Sequence, residues 1–132
     1  MILLDTHAFL WLVDNPELLS NAAYEKINTE IKAKKPIMVS SISIWEICLL
    51  TAKNRLDIEG GVEAWIGNAS VLPEFEYIPV SNRIAVESVF LPGEFHPDPA
   101  DRIIVATARI NGATVVSKDT RIRNYVHVET LW

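Results

Sequence analysis

Cysteine is nearly absent. With Cys48 alone among 132 residues, the chain has no internal disulfide and no multi-cysteine zinc site open to it. Apolar neighbours make Cys48 a small packing residue rather than a nucleophile. Basic residues are also in deficit, 12 Lys and Arg against 17 Asp and Glu for a net charge of −5. That balance argues against strong general affinity for nucleic acid, but leaves room for an enzyme that holds a nucleic acid through metal ions. No apolar run nears the roughly 20 residues that span a bilayer, so no membrane partner is expected. The opening "MILLDTHAFLWLVDNPE" has neither the basic n-region nor the small-residue cleavage site of a secretory signal, and the expected location is the cytoplasm. Low-complexity segments, internal repeats and linker-like runs are missing as well. The chain therefore reads as a single domain over 1–132, long enough to bury a core.

What is present is alternation. "MILL", "IMVS" and "TVVS" are short apolar runs, and helical spacing follows each of them or leads into the next. The first run ends at Asp5 and is followed by a helix that stops near Asn15-Pro16. A second, amphipathic helix is expected from Pro16 to about Lys34, with Glu30 among its polar positions. After Pro36 and "IMVS", Ser41 or Ser43 caps a helix carrying Glu46 and ending around Asn54. A helix around "VEAWIGNASVL", an edge strand "FEYIPV" and a helix over "SNRIAVESVFL" come next. "RIIVATARI" is a helix ended by Asn111-Gly112, and "ATVVS" leads into "KDTRIRNY" and a short tail "VHVETLW". The fold class is α/β: a parallel, largely buried sheet with helices on both faces, whose ligands belong beyond the carboxyl ends of the strands. Strand order is not legible at this level.

Acidic residues gather at that edge. Asp5 directly follows the first apolar run and Asp119 lies two residues beyond "TVVS", while Asp98 and Asp101 stand at the start of the late helix. Each alone is ordinary cap or turn chemistry. Glu46 is different, because Ile42, Leu49 and Leu50 share its helical stripe. A carboxylate there neutralises unless a cation or donors compensate for lost water. One compensation is Lys53, seven residues on. The other is that Glu46 joins Asp5, Asp101 and Asp119 around a hard divalent cation such as Mg²⁺ or Mn²⁺, which favours clustered oxygen ligands.

"LLDTHAFLWL", "SSISIWEI", "HPDPADRIIVATA" and "VVSKDTRI", in this order and spacing, resemble the PIN domain, and specifically the toxin ribonucleases of VapBC-type toxin-antitoxin modules. The resemblance implies a three-layer α/β/α fold with a mostly parallel sheet and a Mg²⁺- or Mn²⁺-dependent endoribonuclease. By motif, the family's catalytic, metal-binding acids fall on Asp5, Glu46, Asp101 and Asp119. Asp98 falls on the position of an auxiliary ligand or orienter, and Thr6 and Ser117 on hydroxyl positions that support the site. The implied partners are an RNA substrate, a cognate antitoxin and a second copy of the chain in a homodimer.

Around this constellation the remaining residues read more weakly. Arg102 either meets RNA phosphates or pairs with one of the acids, and Lys53, Lys118, Arg121 and Arg123 are further phosphate contacts. His7 and His96 stand beside the acids as surface or packing residues that can reach substrate. Trp11, Trp45 or Trp65 either pack in the core or line a groove for an antitoxin or a second copy. A catalytically idle RNA-binding or scaffolding domain of the same fold is the alternative function, since fold does not fix activity. A receiver-type signalling domain is also small and α/β, but Asp5-Thr6 lacks the adjacent acid pair it needs.

Overall fold

The apolar runs become strands because their side chains, buried on both faces, satisfy two cores at once. In the computed structural model, which describes all 132 residues, these are β1 (Ile2–Leu4), β2 (Ile37–Ser40), β3 (Phe75–Ile78), β4 (Thr114–Val116) and β5 (Thr130–Leu131). The helices are α1 (Thr6–Asp14), α2 (Asn21–Lys32), α3 (Ser41–Ala52), α4 (Val62–Ser70), α5 (Asn82–Val89), α6 (Pro99–Asn111) and α7 (Thr120–Arg123). All strands pair in parallel, in the order β3-β2-β1-β4-β5.

Alternation along each strand divides the side chains. Ile2, Leu4, Ile37, Val39 and Val116 join Phe9, Ile27 and Trp65 in one core. Leu3, Met38 and Val115 join Ile84 of α5 with Ile104 and Val105 of α6 in the other. The result is the expected three-layer arrangement. Helix α3 straddles both layers, since Ile47 belongs to the first core and Ile42 packs against the second. That position explains why its apolar residues run around the helix instead of forming one stripe.

The chain moves outward from β1 through β2 to β3, then crosses over to β4 and β5 on the other side of β1. Parallel sheets bind ligands where this reversal opens a crevice, here beyond the carboxyl ends of β1 and β4. Asp5 and Ser117 follow those two ends directly.

Four local details differ from the sequence reading. Helix α2 starts at Asn21, because Pro16–Leu18 forms a separate 3₁₀ turn and Ser20 restarts the helix by accepting the Ala23 N–H at 3.1 Å. Glu30 is not on its polar face: it is buried and pairs with Lys26 at 3.0 Å and the Met1 ammonium at 3.7 Å. Ser40, not Ser41 or Ser43, caps α3, accepting from the Ile42 N–H at 3.2 Å. The carboxyl-terminal tail is not a bare coil but contains β5, tied to β4 by Val115 N–H to Glu129 O (2.9 Å) and Ser117 N–H to Leu131 O (3.1 Å). Helix α6 ends as expected, with Gly112 in the left-handed conformation at φ 62°. No helix is long and apolar enough to cross a membrane.

Candidate active site

Asp5 enters the crevice from the end of β1. It is buried, its Oδ1 accepts the Ala8 N–H at 2.8 Å as the cap of α1, and its Oδ2 accepts the Ser117 hydroxyl proton. Burial raises the Asp5 pKa, against the opposing effect of the Ser117 and Ala8 hydrogen bonds. Ser117 Oγ also accepts the Asp119 N–H at 3.0 Å, so one fully buried hydroxyl fixes the ends of β1 and β4 to each other. Thr6 donates to Ser43 Oγ at 3.0 Å, locking α1 against α3. Both hydroxyls thus join the elements that border the crevice.

Asp98 and Asp101 start α6. Asp98 Oδ1 accepts the Asp101 N–H at 3.0 Å, and Pro99 occupies the first helical turn, where its missing N–H costs nothing. Asp101 is mostly buried, and its pKa is raised to about 7, first by desolvation and then by the charges of Asp98, Glu46 and Asp119. His96 lies against it, with Nε2 3.1 Å from Asp101 Oδ2 but off the line of a good hydrogen bond. Its Nδ1 accepts the Asp98 N–H at 3.4 Å, which leaves the ring proton on Nε2. Burial lowers the His96 pKa, so at neutral pH the ring is an uncharged neighbour of Asp101.

Asp119 caps the short α7, accepting the Arg121 N–H at 2.8 Å. The Arg121 guanidinium grips the same carboxylate at 2.8 and 3.2 Å and reaches Asp101 Oδ2 at 3.7 Å. This contact holds the Asp119 pKa below the usual carboxylate range. Glu46 arrives from α3, half-buried, and lines the same pocket; the alternative pair with Lys53 does not form, since Lys53 is exposed and absent from the ion pairs. The pocket holds about 290 Å³ and is framed by Asp5, Glu46, Asp98, Asp101 and Asp119. Five acids from four separate segments thus share one cavity. As the side chains stand, no three converge closely enough to grip one ion. Their oxygen-only chemistry and mutual repulsion, visible at Asp101, nevertheless suit a hard divalent cation.

Arg102 requires a correction. It neither pairs with an acid nor faces the pocket: Nε donates to Ser88 O at 2.8 Å, Nη1 to Phe95 O at 2.8 Å and His96 O at 3.3 Å, and Nη2 to Val89 O at 3.1 Å. The guanidinium clamps the end of α5 and the loop ahead of α6, and so positions His96 and Asp98. Trp65 is core, its indole N–H held by the Asp14 carboxylate at 2.9 and 3.0 Å, while Trp45 is 53% exposed. Lys118 and Arg121, read from the sequence as phosphate contacts, both line the pocket, whereas Arg121 as a bridge between two acids and Trp11 as a wall of the acidic pocket are features the sequence reading did not assign. The spacing Asp119-x-Arg121 at a helix start was the available signal for the bridge.

A parallel sheet of this order with an acidic crevice at its reversal defines a PIN-type α/β/α domain. The chain belongs to the PIN domain family, whose model matches residues 2–128, and within it is VapC-like. It is 32% identical over 133 residues to Ribonuclease VapC22 of Mycobacterium tuberculosis, covering 99% of this chain and 98% of that protein. Its fold is similar to VapBC2 from Rickettsia felis bound to a DNA fragment from their promoter, with a TM-score of 0.70, 17% identity, and coverage of 99% and 98% of the two chains. A toxin-antitoxin complex from Klebsiella pneumoniae is similar too, with a TM-score of 0.62, 21% identity, and coverage of 97% and 95%.

Proposed function

We propose that this chain is the toxin of a type II toxin-antitoxin module, an endoribonuclease that hydrolyses RNA phosphodiester bonds with Mg²⁺ or Mn²⁺. The observation that carries this reading is the shared pocket of Asp5, Glu46, Asp98, Asp101 and Asp119, in which Asp101 is held back from ionising first by burial and then by its acidic neighbours. Relatedness to a ribonuclease along nearly the whole chain supports the reaction class.

Asp5, Glu46 and Asp101 are the primary metal ligands on this reading, with Asp119 and Asp98 completing the set. When bound, the ion supplies charge neutralisation at the phosphodiester and a more acidic water. The protein's own contribution is orientation. Ser117 holds Asp5 and the start of the Asp119 turn in register, Thr6 and Ser43 fix α1 to α3, and Arg102 seats the loop that delivers Asp98 and His96. Arg121, which contacts Asp101 and Asp119, would have to release those carboxylates for them to hold an ion, and its guanidinium would then suit a phosphate oxygen. The alternative, a catalytically idle RNA-binding or scaffolding domain, draws support from Arg121's hold on two acids. The complete acidic set weighs against it.

A cognate antitoxin and a second copy are the proposed protein partners. Trp45 at 53% exposed and Phe90 at 75% are apolar surface that a solitary chain leaves in water. The deciding assay is cleavage of RNA by purified, antitoxin-free protein with Mn²⁺ and then with EDTA, beside Asp5→Asn and Glu46→Gln. Activity is expected to vanish in all three controls; survival in any of them removes the metal-carboxylate mechanism.

A further inference from the structure

The acidic pocket has a single apolar wall, Trp11. His7, one helical turn earlier on α1, lies 5.8 Å from it between ring centres at 54°, and Trp132 backs it from the carboxyl terminus at 5.7 Å and 54°. Lys118, in the turn between Ser117 and Asp119, sets Nζ 5.9 Å from the centre of the Trp11 ring. Trp11 is only half-buried, with its inner side against the core, His7 and Lys118 are exposed, and all three line the pocket that holds the acids. A tryptophan needed only for packing has no reason to present its ring to a carboxylate cluster beneath a lysine. A half-exposed aromatic ring under an exposed lysine, at the rim of a site for a phosphodiester, suits stacking of an unpaired nucleobase: the ring receives the base as the flexible lysine swings its ammonium off the ring to an adjoining phosphate.

We propose that Trp11 is the stacking platform for the base next to the cleaved phosphodiester, with Lys118 as its phosphate contact and Trp132 and His7 as the braces that fix the ring. The proposal rests on the ribonuclease reading. It implies that the nucleotide at this position is unpaired, because a base within a duplex has both faces covered. Stacking is tolerant of base identity, so Trp11 selects for an available face and leaves sequence choice to other contacts.

The test is a coupling experiment with full-length protein and Mn²⁺. A labelled single-stranded oligoribonucleotide is made as a set with one abasic residue at successive positions around the cleaved bond. Wild-type kcat/KM is expected to fall about tenfold at one position and little elsewhere. In Trp11→Leu the intact RNA is cleaved about tenfold less efficiently, and the same abasic substitution then causes no further loss. Trp11→Phe keeps a ring and retains the positional sensitivity. Unchanged Mn²⁺-dependent thermal shifts in both variants show that fold and metal site persist. Additive losses in Trp11→Leu, or wild-type efficiency in that variant, overturn the stacking role while leaving the nuclease reading intact. Failure of the wild type to cut any RNA overturns the nuclease reading and the platform with it.

Discussion

Replacing Asp101 by asparagine should stabilise the metal-free protein, and only on the alkaline side. The folded state raises the Asp101 pKa from 3.8 to about 7. Between those values the native chain keeps a proton that the unfolded chain has released, so native stability falls as pH rises through the window. Above pH 7 the whole cost is present. At about 1.4 kcal/mol per tenfold change in proton affinity the shift corresponds to about 4 kcal/mol. The 14% exposure of the carboxyl and the ability of solvent to screen it reduce this to about 2 kcal/mol. The amide that Asp101→Asn introduces has the same shape without the charge. In EDTA, urea unfolding of Asp101→Asn is expected to match wild type at pH 4 and to shift its midpoint upward by roughly 1 M at pH 8. Mn²⁺ should then reverse the order, because an ion at 100 times its Kd stabilises the wild type by about 2.7 kcal/mol while the variant has lost a ligand. A midpoint difference independent of pH, or a variant less stable than wild type at pH 8, refutes the account of Asp101.

Arg102→Ala should destabilise by about 2–4 kcal/mol, since four carbonyls lose a charged donor, and Arg102→Lys should not rescue it, because one ammonium cannot replace a fork that spans two segments. Thermal unfolding decides this, and near-neutral behaviour of the alanine variant would mean the clamp contributes nothing. Arg121→Gln should bind Mn²⁺ several-fold more tightly by calorimetry, because Asp119 and Asp101 no longer have an internal cation to release; unchanged or weaker binding would show that Arg121 does not compete with metal.

Which parts of this molecule can be read from sequence depends on how far apart the cooperating residues lie. The strands were legible because "ILL", "IMVS" and "TVV" are apolar on both faces, and only a doubly covered sheet uses such runs. Strand order was not, since pairing of β1 with β4 joins Leu3 to Val115 across most of the chain and leaves no local trace. Strand β5 is two residues long, too short for a period to register. Arg102 was misread for a related reason: its partners are backbone carbonyls, which every residue carries, whereas the nearby acids offered conspicuous but wrong partners. Glu46 shows the opposite case. An acid among apolar neighbours signals a local conflict, and such conflicts concentrate at functional sites.

The caps bear on the site most directly. Asp5, Asp98 and Asp119 each accept a backbone N–H at a helix start, so the modest structural reading of each is correct. It also explains how the pocket arises. In a parallel sheet, the helices that follow strands begin at the carboxyl edge, and helix starts favour acidic caps; α6 brings another start to the same edge. A carboxylate has two oxygens, and a cap occupies one. Asp98 illustrates this, with Oδ1 bound to the Asp101 N–H and no protein donor on Oδ2. Capping therefore gathers and orients several carboxylates at a modest energetic gain each, and Asp101 and Glu46, which cap nothing, turn that collection into a repelling cluster. The pKa of Asp101 is raised first by its burial and then by the charges of Asp98, Glu46 and Asp119. Structure and proposed chemistry consequently make separable demands on the same edge: removing a cap should cost stability with or without metal, whereas removing the Asp101 charge should cost stability only when metal is present.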